Sequence, residues 1–355
     1  MGDIIFTVVT FVAVLVVLVI VHELGHFVTA KASGVTVEEF GLGFPPRLFG
    51  IRRGETIYSI NLLPLGGFVK MAGEEDPDKP GSLAGKKPGT RILVLAAGSI
   101  MNAVLPLLLF TTAFMLPHDV VFSQVQVQEV KANSPASQAG IQAGDIVLRV
   151  DSRPVRNAGD LQRYIQLELG NETTMLVRHT DGTTETVRLV PRWRPPAGQG
   201  ATGIVLKGLT PAFVSQHVSL WKAVPMGVNE LFETFNLFKN GIISMFIGTA
   251  PVAVAGPVGI AQITGEVARS GFSPLLEFAA FLSINLAVIN IFPLPALDGG
   301  RIAFVVLEWL RRGKRISPKI EGLVHLIGFA LLMGAIAVVT YHDIVRIITG
   351  GSPIP

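Results

Sequence analysis

The sequence predicts an α-helical multi-pass membrane protein with a small soluble α+β domain inserted between two of its transmembrane helices. Apolar residues make up 49% of the 355 residues, charged residues make up only 15%, and the mean hydropathy is +0.53. A soluble chain normally has about 25% charged residues, so the deficit indicates a protein that resides in lipid. The formal net charge of +3 is too small to indicate nucleic-acid binding, and the apolar content excludes a disordered chain.

Four long apolar runs predict four transmembrane helices, at about residues 4–30, 91–116, 275–297 and 322–345. The first run, Ile4 to Val21, contains 18 residues and forms a helix roughly 27 Å long, close to the thickness of the hydrocarbon core. It lacks the basic start and the cleavage site of a signal peptide. The third run continues to Leu310 but is interrupted by prolines and glycines. We therefore expect its helix to end near Phe292, before a non-helical turn and a second, short helix.

The segment between the second and third spans has the composition of a soluble domain. Apolar and polar residues alternate at 125–127 and at 146–150, which predicts strands. Asp181-Gly182 predicts a hairpin turn between two further strands, and apolar residues four positions apart predict one short helix. We therefore expect an α+β domain at residues 120–208.

The domain separates two halves of a membrane core, residues 1–119 and 275–355. Residues 209–274 are predicted to be a linker. Within it, residues 240–265 are apolar but rich in glycine and proline, so we expect this piece to lie on the membrane surface or to re-enter the membrane rather than span it.

Basic residues predict the orientation of the spans, because short cytoplasmic loops are enriched in Lys and Arg. One basic group lies between the third and fourth spans, and another flanks the loop between the first two. The two groups are Arg311, Arg312, Lys314, Arg315 and Lys319, and Lys31, Lys86, Lys87 and Arg91. Four spans place both loops in the cytoplasm, with the inserted domain and both termini on the other side. A fifth span at 240–265 would place the two basic loops on opposite sides of the membrane.

A metal-binding pattern, His22-Glu23-Leu24-Gly25-His26, stands at the inner end of the first span. Residues four apart share a helix face, so both imidazoles can reach one ion. Glu23 lies beside them, where it can take a proton from a water that zinc has acidified. The non-catalytic alternative is a set of polar residues that cap a membrane anchor. However, three ionisable side chains at the end of a span cost free energy unless they have partners.

A catalytic zinc site needs a third protein ligand, and the chain has no cysteine. Asp298 is the preferred candidate because it follows the proline-rich turn at the inner end of the third span, at the depth of the two histidines. Glu38 and Glu39 are the alternatives, and Asp298 could instead be a helix-capping residue. The other histidines are His118, His179, His217, His325 and His342.

Together, the motifs resemble the site-2 intramembrane metalloproteases, and most closely the bacterial branch that contains the sigma-E regulator proteases. The His-Glu-x-x-His motif in the first span and the late Pro-Leu-Pro-Ala-Leu-Asp-Gly motif carry the resemblance, which covers nearly the whole chain. It implies one zinc ion held by His22, His26 and Asp298, with Glu23 as the catalytic base. Further segments that match this branch are Gly66 to Met71, Ala97-Gly98-Ser99 with Asn102, Gly256 to Ala261, and the asparagines Asn285 and Asn290.

The resemblance also implies roles for these further segments. Residues 35–75 would form a cytoplasmic, membrane-associated β-hairpin that pairs with substrate, with Gly66 and Gly67 in contact with it. Asn102, Asn285 and Asn290 would bind the substrate backbone or orient it.

By the same resemblance, the inserted domain is similar to a PDZ domain. Ser134-Pro135-Ala136 and the segment Ala139 to Val147 carry this similarity. A single PDZ domain departs from the best-known Gram-negative members, which have two in tandem. The domain would bind a peptide C-terminus or exclude large substrates. Gly41-Leu42-Gly43-Phe44 spells a PDZ carboxylate-binding loop but falls outside the domain, so we expect no such role for it.

These expectations combine into one function. The chain is expected to be a zinc endopeptidase of the bacterial inner membrane, with its active site near the cytoplasmic side and its PDZ domain extracytoplasmic. It would cleave the transmembrane segments of single-span proteins such as anti-sigma factors or remnant signal peptides, without a nucleic-acid partner. The alternative is a non-catalytic PDZ-containing scaffold with a structural metal, but structural zinc usually has four protein ligands and the sequence offers three. A transporter is the least favoured interpretation of the function, since no inverted repeat is visible in the sequence.

Overall fold

The computed structural model describes residues 2–74, 76–249 and 255–349. Its helices, in chain order, are α1 (Gly2–Ala32), α2 (Pro88–Met115), α3 (Pro135–Gln138), α4 (Ala158–Leu167), α5 (Leu220–Phe246), α6 (Pro257–Arg269), α7 (Phe272–Ile291), α8 (Asp298–Leu310) and α9 (Pro318–Ile348). Its strands are β1 (Val37–Arg53), β2 (Thr56–Met71), β3 (His118–Phe122), β4 (Val125–Val130), β5 (Ile146–Val150), β6 (Arg153–Pro154), β7 (Thr173–Arg178), β8 (Thr184–Leu189), β9 (Ile204–Gly208) and β10 (Ala212–Gln216). The chain divides into two compact units, Met1–Ala113 with Ala253–Pro355, and Phe114–Val252.

Four of the described helices, α1, α2, α7 and α9, are long and apolar enough to cross a membrane, as the sequence predicts. The third ends earlier than the predicted 275–297, because α7 stops at Ile291. Phe292 already has extended backbone, and the residue after it is Pro293, which has no N–H to continue a helical hydrogen-bond ladder. The expected non-helical turn and short helix follow, the helix being α8.

In the first unit, β1 and β2 pair antiparallel and confirm a β structure within residues 35–75. The arrangement is more folded than a simple hairpin, because residues 39–42 of β1 pair with two parts of β2, 57–60 and 67–70. Prolines at the bend in β1, Pro45 and Pro46, suit a strand that changes direction. Residues 67–71 therefore form an outer edge of this sheet.

The first unit has a core in which the sheet meets three helices. Its buried side chains come from α1, β1, β2, α2 and α8, and include Ala30, Val37, Val69, Leu95 and Val305. Because the apolar positions of the sheet and of three helices converge here, the sheet is held against the inner part of α1, where the His-Glu-x-x-His motif lies.

The glycines of the Gly256–Ala261 segment have a structural reason in α6 and α9. Asp343, 1% exposed on α9, accepts a hydrogen bond from the Gly259 backbone N–H at 2.8 Å and pairs with Arg346 at 3.0 Å. A Cβ at Gly256 would lie 2.7 Å from the Asp343 carboxylate, so only glycine fits. A carboxylate at a helix N-terminus is favourable, and it anchors α6 to the fourth span.

The second unit contains a sheet of order β8-β7-β5-β4-β9, with β6 paired to β5. Its core packs the apolar faces of the strands against α3 and α4, with Val127, Val147, Leu161, Met175 and Val177 almost fully buried. This confirms the expected α+β domain. Its identity as a PDZ domain stays a prediction.

Two described elements extend beyond the bounds 120–208 that the sequence predicts for the domain. Strand β3 begins at His118 and pairs with β10, which lies beyond residue 208. Helix α5, also placed in the linker, packs on α4. Asn240 on α5 donates to the Gln166 carbonyl at 2.7 Å, and Arg163 on α4 pairs with Glu233 at 3.2 Å. The segment is structured because its polar residues have partners on α4, which the sequence pattern alone did not indicate.

Residues 250–254, within the segment 240–265, lie outside the described residues. Helix α5 ends shortly before them, at Phe246, and helix α6 begins after them, at Pro257. Neither of these two described helices is among the four that are long and apolar enough to span a membrane. Whether the segment re-enters the membrane or lies on its surface stays a prediction.

Candidate active site

The two motif histidines face the same side of α1, one turn apart. Their ring centroids lie 4.8 Å apart, and the two Nε2 atoms are 3.2 Å apart. Both side chains are largely buried, with 12% of the His22 side chain and 6% of the His26 side chain exposed. The helical spacing therefore directs two imidazole nitrogens at one point.

Asp298, the first residue of α8, completes this group. Its Oδ2 atom lies 3.1 Å from His22 Nε2 and 3.2 Å from His26 Nε2. The residue at the N-cap of α8 is Leu297, so the alternative reading of Asp298 as the helix cap is wrong. Within the described part of the chain, these three residues are the group of His, Asp or Glu side chains that could hold a metal ion.

The geometry of the three atoms fits zinc. Ligand atoms bound to one tetrahedral zinc at 2.0–2.1 Å lie about 3.3 Å apart, and the three separations here are 3.1, 3.2 and 3.2 Å. Asp298 Oδ2 is buried and makes no hydrogen bond of good geometry, as expected of an oxygen aimed at an ion. Asp298 is therefore the candidate third ligand.

Each imidazole is oriented through its other nitrogen. His26 Nδ1 lies 2.8 Å from the Val94 carbonyl oxygen, to which it donates when Nε2 is free to bind a metal. His22 Nδ1 lies 3.4 Å from the Asn102 side-chain amide. The Asn102 side chain is 1% exposed, and its Oδ1 is buried without a hydrogen bond. Rotating the amide by 180° brings Oδ1 to His22 Nδ1, which satisfies both groups.

Two glycines make room for the histidines. A Cβ at Gly98 on α2 would overlap the imidazoles of both His22 and His26, and a Cβ at Gly25 would overlap the Ala97 carbonyl. The glycine in the middle of the histidine motif therefore permits α1 to cross α2 closely. The glycine of Ala97-Gly98-Ser99 leaves space for the two imidazoles.

Glu23 lines a cavity of about 430 Å³ that is also lined by His22, His26 and Asp298. A Cβ at Gly67 would lie 2.9 Å from Glu23 Cγ, so the outer strand of the sheet passes directly beside this carboxylate. The remaining lining contains both apolar and charged residues, among them Phe44, Phe68, Met71, Leu95, Leu297, Lys70, Glu74 and Arg301.

A charged pair connects the sheet to α8. Arg301 Nη1 lies 2.7 Å from Glu74 Oε2, while Glu74 Oε1 accepts from the Met71 backbone N–H at 3.0 Å. Glu74 thereby links the end of β2 to the helix that begins with Asp298. Neither Glu74 nor Arg301 is predicted from the sequence, although Arg301 stands three residues after Asp298, a candidate metal ligand.

Glu38 and Glu39, the alternative third ligands, are engaged elsewhere. Glu38 pairs with Lys79 and Lys70, and hydrogen bonds from these lysines lower the pKa of the Glu38 carboxyl. Glu39 pairs with Arg47 and accepts from the Ser59 hydroxyl at 2.6 Å. Their place in the sheet leaves both carboxylates with lysine, arginine or serine as partners, away from the histidines.

The asparagines of α7 lie apart from the cavity lining. Asn285 donates to the Phe281 carbonyl one turn earlier, at 2.8 Å, and Asn290 lies in the last turn of the helix. Neither belongs to the lining of the 430 Å³ cavity. Contact of these residues and of Asn102, Gly66 and Gly67 with substrate stays a prediction.

Comparison with known proteins covers most of the chain. The model of peptidase family M50 matches residues 10–335. A Clostridium perfringens protein that carries a zinc-metalloprotease name is 39% identical over 332 residues, 92% of this chain and 95% of its own length. The zinc metalloprotease RasP of Oceanobacillus iheyensis is 29% identical over 425 residues, 96% of this chain and 99% of its own length.

Among solved structures, a PDZ domain of an SdrC-like protein from Listeria monocytogenes covers 24% of this chain and 90% of its own, with 23% identity and a TM-score of 0.22. This likeness is too low to define the fold of the segment. The family match and the relatives extend over both halves of the membrane core, including the histidine motif and the Asp298 turn. The chain therefore belongs to peptidase family M50, in agreement with the resemblance to the site-2 metalloproteases.

Proposed function

We propose that this peptidase is a zinc-dependent intramembrane endopeptidase that hydrolyses a peptide bond within or next to the transmembrane segment of a single-span protein. The observation that carries the proposal is the meeting of His22, His26 and Asp298 within 3.2 Å of one another, beside Glu23 and at the end of an apolar span. Ionisable side chains in such a position are costly unless they serve a function.

His22, His26 and Asp298 would hold the ion. Three protein ligands leave a fourth position open, which distinguishes a catalytic zinc from a structural one. When bound, zinc supplies Lewis acidity that activates water and polarises a carbonyl. The Val94 carbonyl and the Asn102 amide keep the imidazoles in the tautomer that directs Nε2 at the ion.

Glu23 is the proposed general base. It lies one residue after His22 on α1 and lines the same cavity. It takes the proton from the attacking water and delivers it to the leaving amine. The adjacent strand, without a side chain at Gly67, leaves the Glu23 carboxylate accessible to a peptide.

Residues 67–71 are the proposed docking strand for substrate. A transmembrane helix hides its carbonyls in its own hydrogen bonds, so a substrate must unwind before cleavage. The outer edge of β2 offers backbone groups to such an unwound segment by strand addition. Because Gly67, Phe68, Val69, Lys70 and Met71 line the cavity, a segment bound there runs past Glu23 and the metal site.

The second unit is proposed to be an extracytoplasmic PDZ domain that binds a peptide C-terminus left by an earlier cut, or that excludes large substrates. The membrane would be the bacterial inner membrane, with the zinc site toward the cytoplasm. The basic residues around 311–319 and near Arg91 support this orientation.

The test is cleavage of a panel of tagged single-span proteins by the purified full-length chain in detergent, with zinc quantified. We expect wild type to cleave, and Glu23→Gln to retain about one zinc per chain and lose cleavage by at least 10²-fold, because the base is removed while the ligands stay. Glu129→Gln is the matched control, since Glu129 is exposed in the second unit and pairs with Lys131. An active Glu23→Gln enzyme contradicts the assignment of the base, and a wild type without zinc contradicts the metal site.

A further inference from the structure

The short segment that presents Asp298 to the histidines, residues 292–297, is irregular backbone between α7 and α8. Ala296 has a φ of 75°, a conformation that costs free energy for a residue with a side chain and persists only where its surroundings impose it. Gly299 and Gly300 fold back on this segment so tightly that a Cβ on either would overlap the carbonyl oxygens of Phe292 or Leu294. The position of the Asp298 carboxylate therefore depends on what holds the segment in place.

The fourth span holds it at one point through a hydrogen bond. The Ala296 backbone N–H donates to His325 Nδ1 on α9 at 2.9 Å. This N–H lies two residues before Asp298. An imidazole that accepts at Nδ1 is the neutral tautomer with its proton on Nε2, so the bond selects one form of His325. The Phe304 ring on α8 lies 5.5 Å from the His325 ring and supports its orientation.

A second point of contact lies one turn further along α9. A Cβ at Gly328 would overlap the Pro295 ring, so Pro295 rests directly on the backbone of α9. Residues three apart share a helix face, and His325 and Gly328 therefore form one seat beneath the consecutive residues Pro295 and Ala296. The hydrogen bond and the close approach are separate observations that point to the same function.

We infer that His325 and Gly328 are positioning residues for the metal site: the seat that they form on the fourth span fixes the Pro295–Ala296 turn and thereby sets the carboxylate of Asp298 at ligand distance from His22 and His26. This inference rests on the proposed zinc site. It assigns to α9, which contributes no metal ligand, control over the geometry and the retention of the ion. Partners of metal ligands typically affect metal affinity by roughly 10- to 100-fold.

A purely structural role in helix packing is the competing explanation. It predicts a general loss of stability, with no specific effect on the metal. The acceptor atom distinguishes the two: His325→Asn keeps an oxygen acceptor close to the Nδ1 position, whereas His325→Leu removes the acceptor and keeps an apolar side chain of similar reach.

The experiment measures zinc release to an excess of chelator from the full-length chain in detergent, together with the visible absorption spectrum of the cobalt-substituted protein, which reports ligand geometry. We expect His325→Leu and Gly328→Ala to release zinc at least 10-fold faster than wild type and to change the cobalt spectrum, and His325→Asn to restore slow release. The matched controls are His342→Leu and Gly334→Ala. His342 is exposed on the same helix, and a Cβ at Gly334 meets no atom within 4 Å.

Each outcome decides the matter. Wild-type release rates and an unchanged spectrum in His325→Leu, with zinc still bound by wild type, overturn the seat and leave the proposed function standing. Faster release in His325→Asn equal to that in His325→Leu also overturns it, because the acceptor then has no role. A wild type that binds no zinc overturns this inference and the proposed function together.

Discussion

Gly98 is the residue whose size matters most directly to the metal site. We expect Gly98→Ala to lose most of its bound zinc and its cleavage activity, because the added methyl overlaps both imidazoles. Neither imidazole can move without losing its contact with the Val94 carbonyl or the Asn102 amide. Zinc per purified chain is the measurement. Gly89→Ala is the control on the same helix, since a Cβ there meets no atom within 4 Å. Full zinc content in Gly98→Ala would mean that the imidazoles adapt and that the glycine serves another purpose.

Asn102 has two possible roles that kinetics can separate. If it orients His22, Asn102→Ala weakens zinc binding by roughly 10- to 100-fold and lowers kcat in proportion to the zinc lost. If instead it binds substrate, as the family resemblance implies, zinc stays bound and KM or kcat changes at full metal content. We expect the first result, because the amide is 1% exposed and faces His22 Nδ1. Titration of zinc into the variant, followed by kinetics at saturating zinc, makes the distinction.

The residues of the metal site were largely predictable, and their supports were not. His22, Glu23 and His26 follow from helical spacing within one element, and Asp298 follows from its place at the inner end of another span. The contacts of His325, Gly98 and Asn102 with these residues join positions far apart in the chain, so they depend on how the helices pack, which a pattern of single residues does not contain.

At the scale of elements, the hairpin β7–β8 contains a pH-sensitive contact. Hydrogen bonds with Asp145 and then Glu185 raise the pKa of His179 above its ordinary value. Charged His179 therefore stabilises the hairpin fully below pH about 6.5, and this contribution is lost as the pH rises through the raised pKa.

We expect the amide protons of β7 and β8 to exchange faster, after correction for intrinsic rates, as the pH rises through that range. Hydrogen exchange of the full-length chain is the measurement, and His179→Gln should remove the dependence. A variant with the same pH dependence as wild type would show that another group controls the hairpin.

Helices and strands were predicted well where a single sequence pattern determines them. They were predicted poorly where their structure depends on contacts with other elements. The four spans follow from apolar length alone. Helix α5 was placed in a linker, whereas its polar residues have partners on α4 and β6, among them Arg163 and Arg153. The sheet of β1 and β2 was expected as a hairpin, whereas bends in both strands let residues 39–42 pair twice.

At the scale of the whole molecule, the two units have separate cores, and all three proposed metal ligands belong to the first. An ion that binds only the folded state stabilises the unit that holds it. Removing zinc from the first unit also leaves His22, His26 and Asp298 as a buried, unneutralised group, which raises the cost of keeping them together. None of the three proposed ligands lies in the second unit.

Removal of zinc should therefore loosen one unit and leave the other unchanged. We expect chelator treatment of the full-length chain to increase hydrogen exchange in the inner half of α1 and at the start of α8, with no change in β4, β5 and β7. Adding one equivalent of zinc should restore protection, and the Asp298→Asn variant should resemble the chelated protein without chelator. Equal loosening of both units would mean that their stabilities are coupled, and no loosening in α1 would mean that its packing on α2 suffices to hold the histidines without the ion.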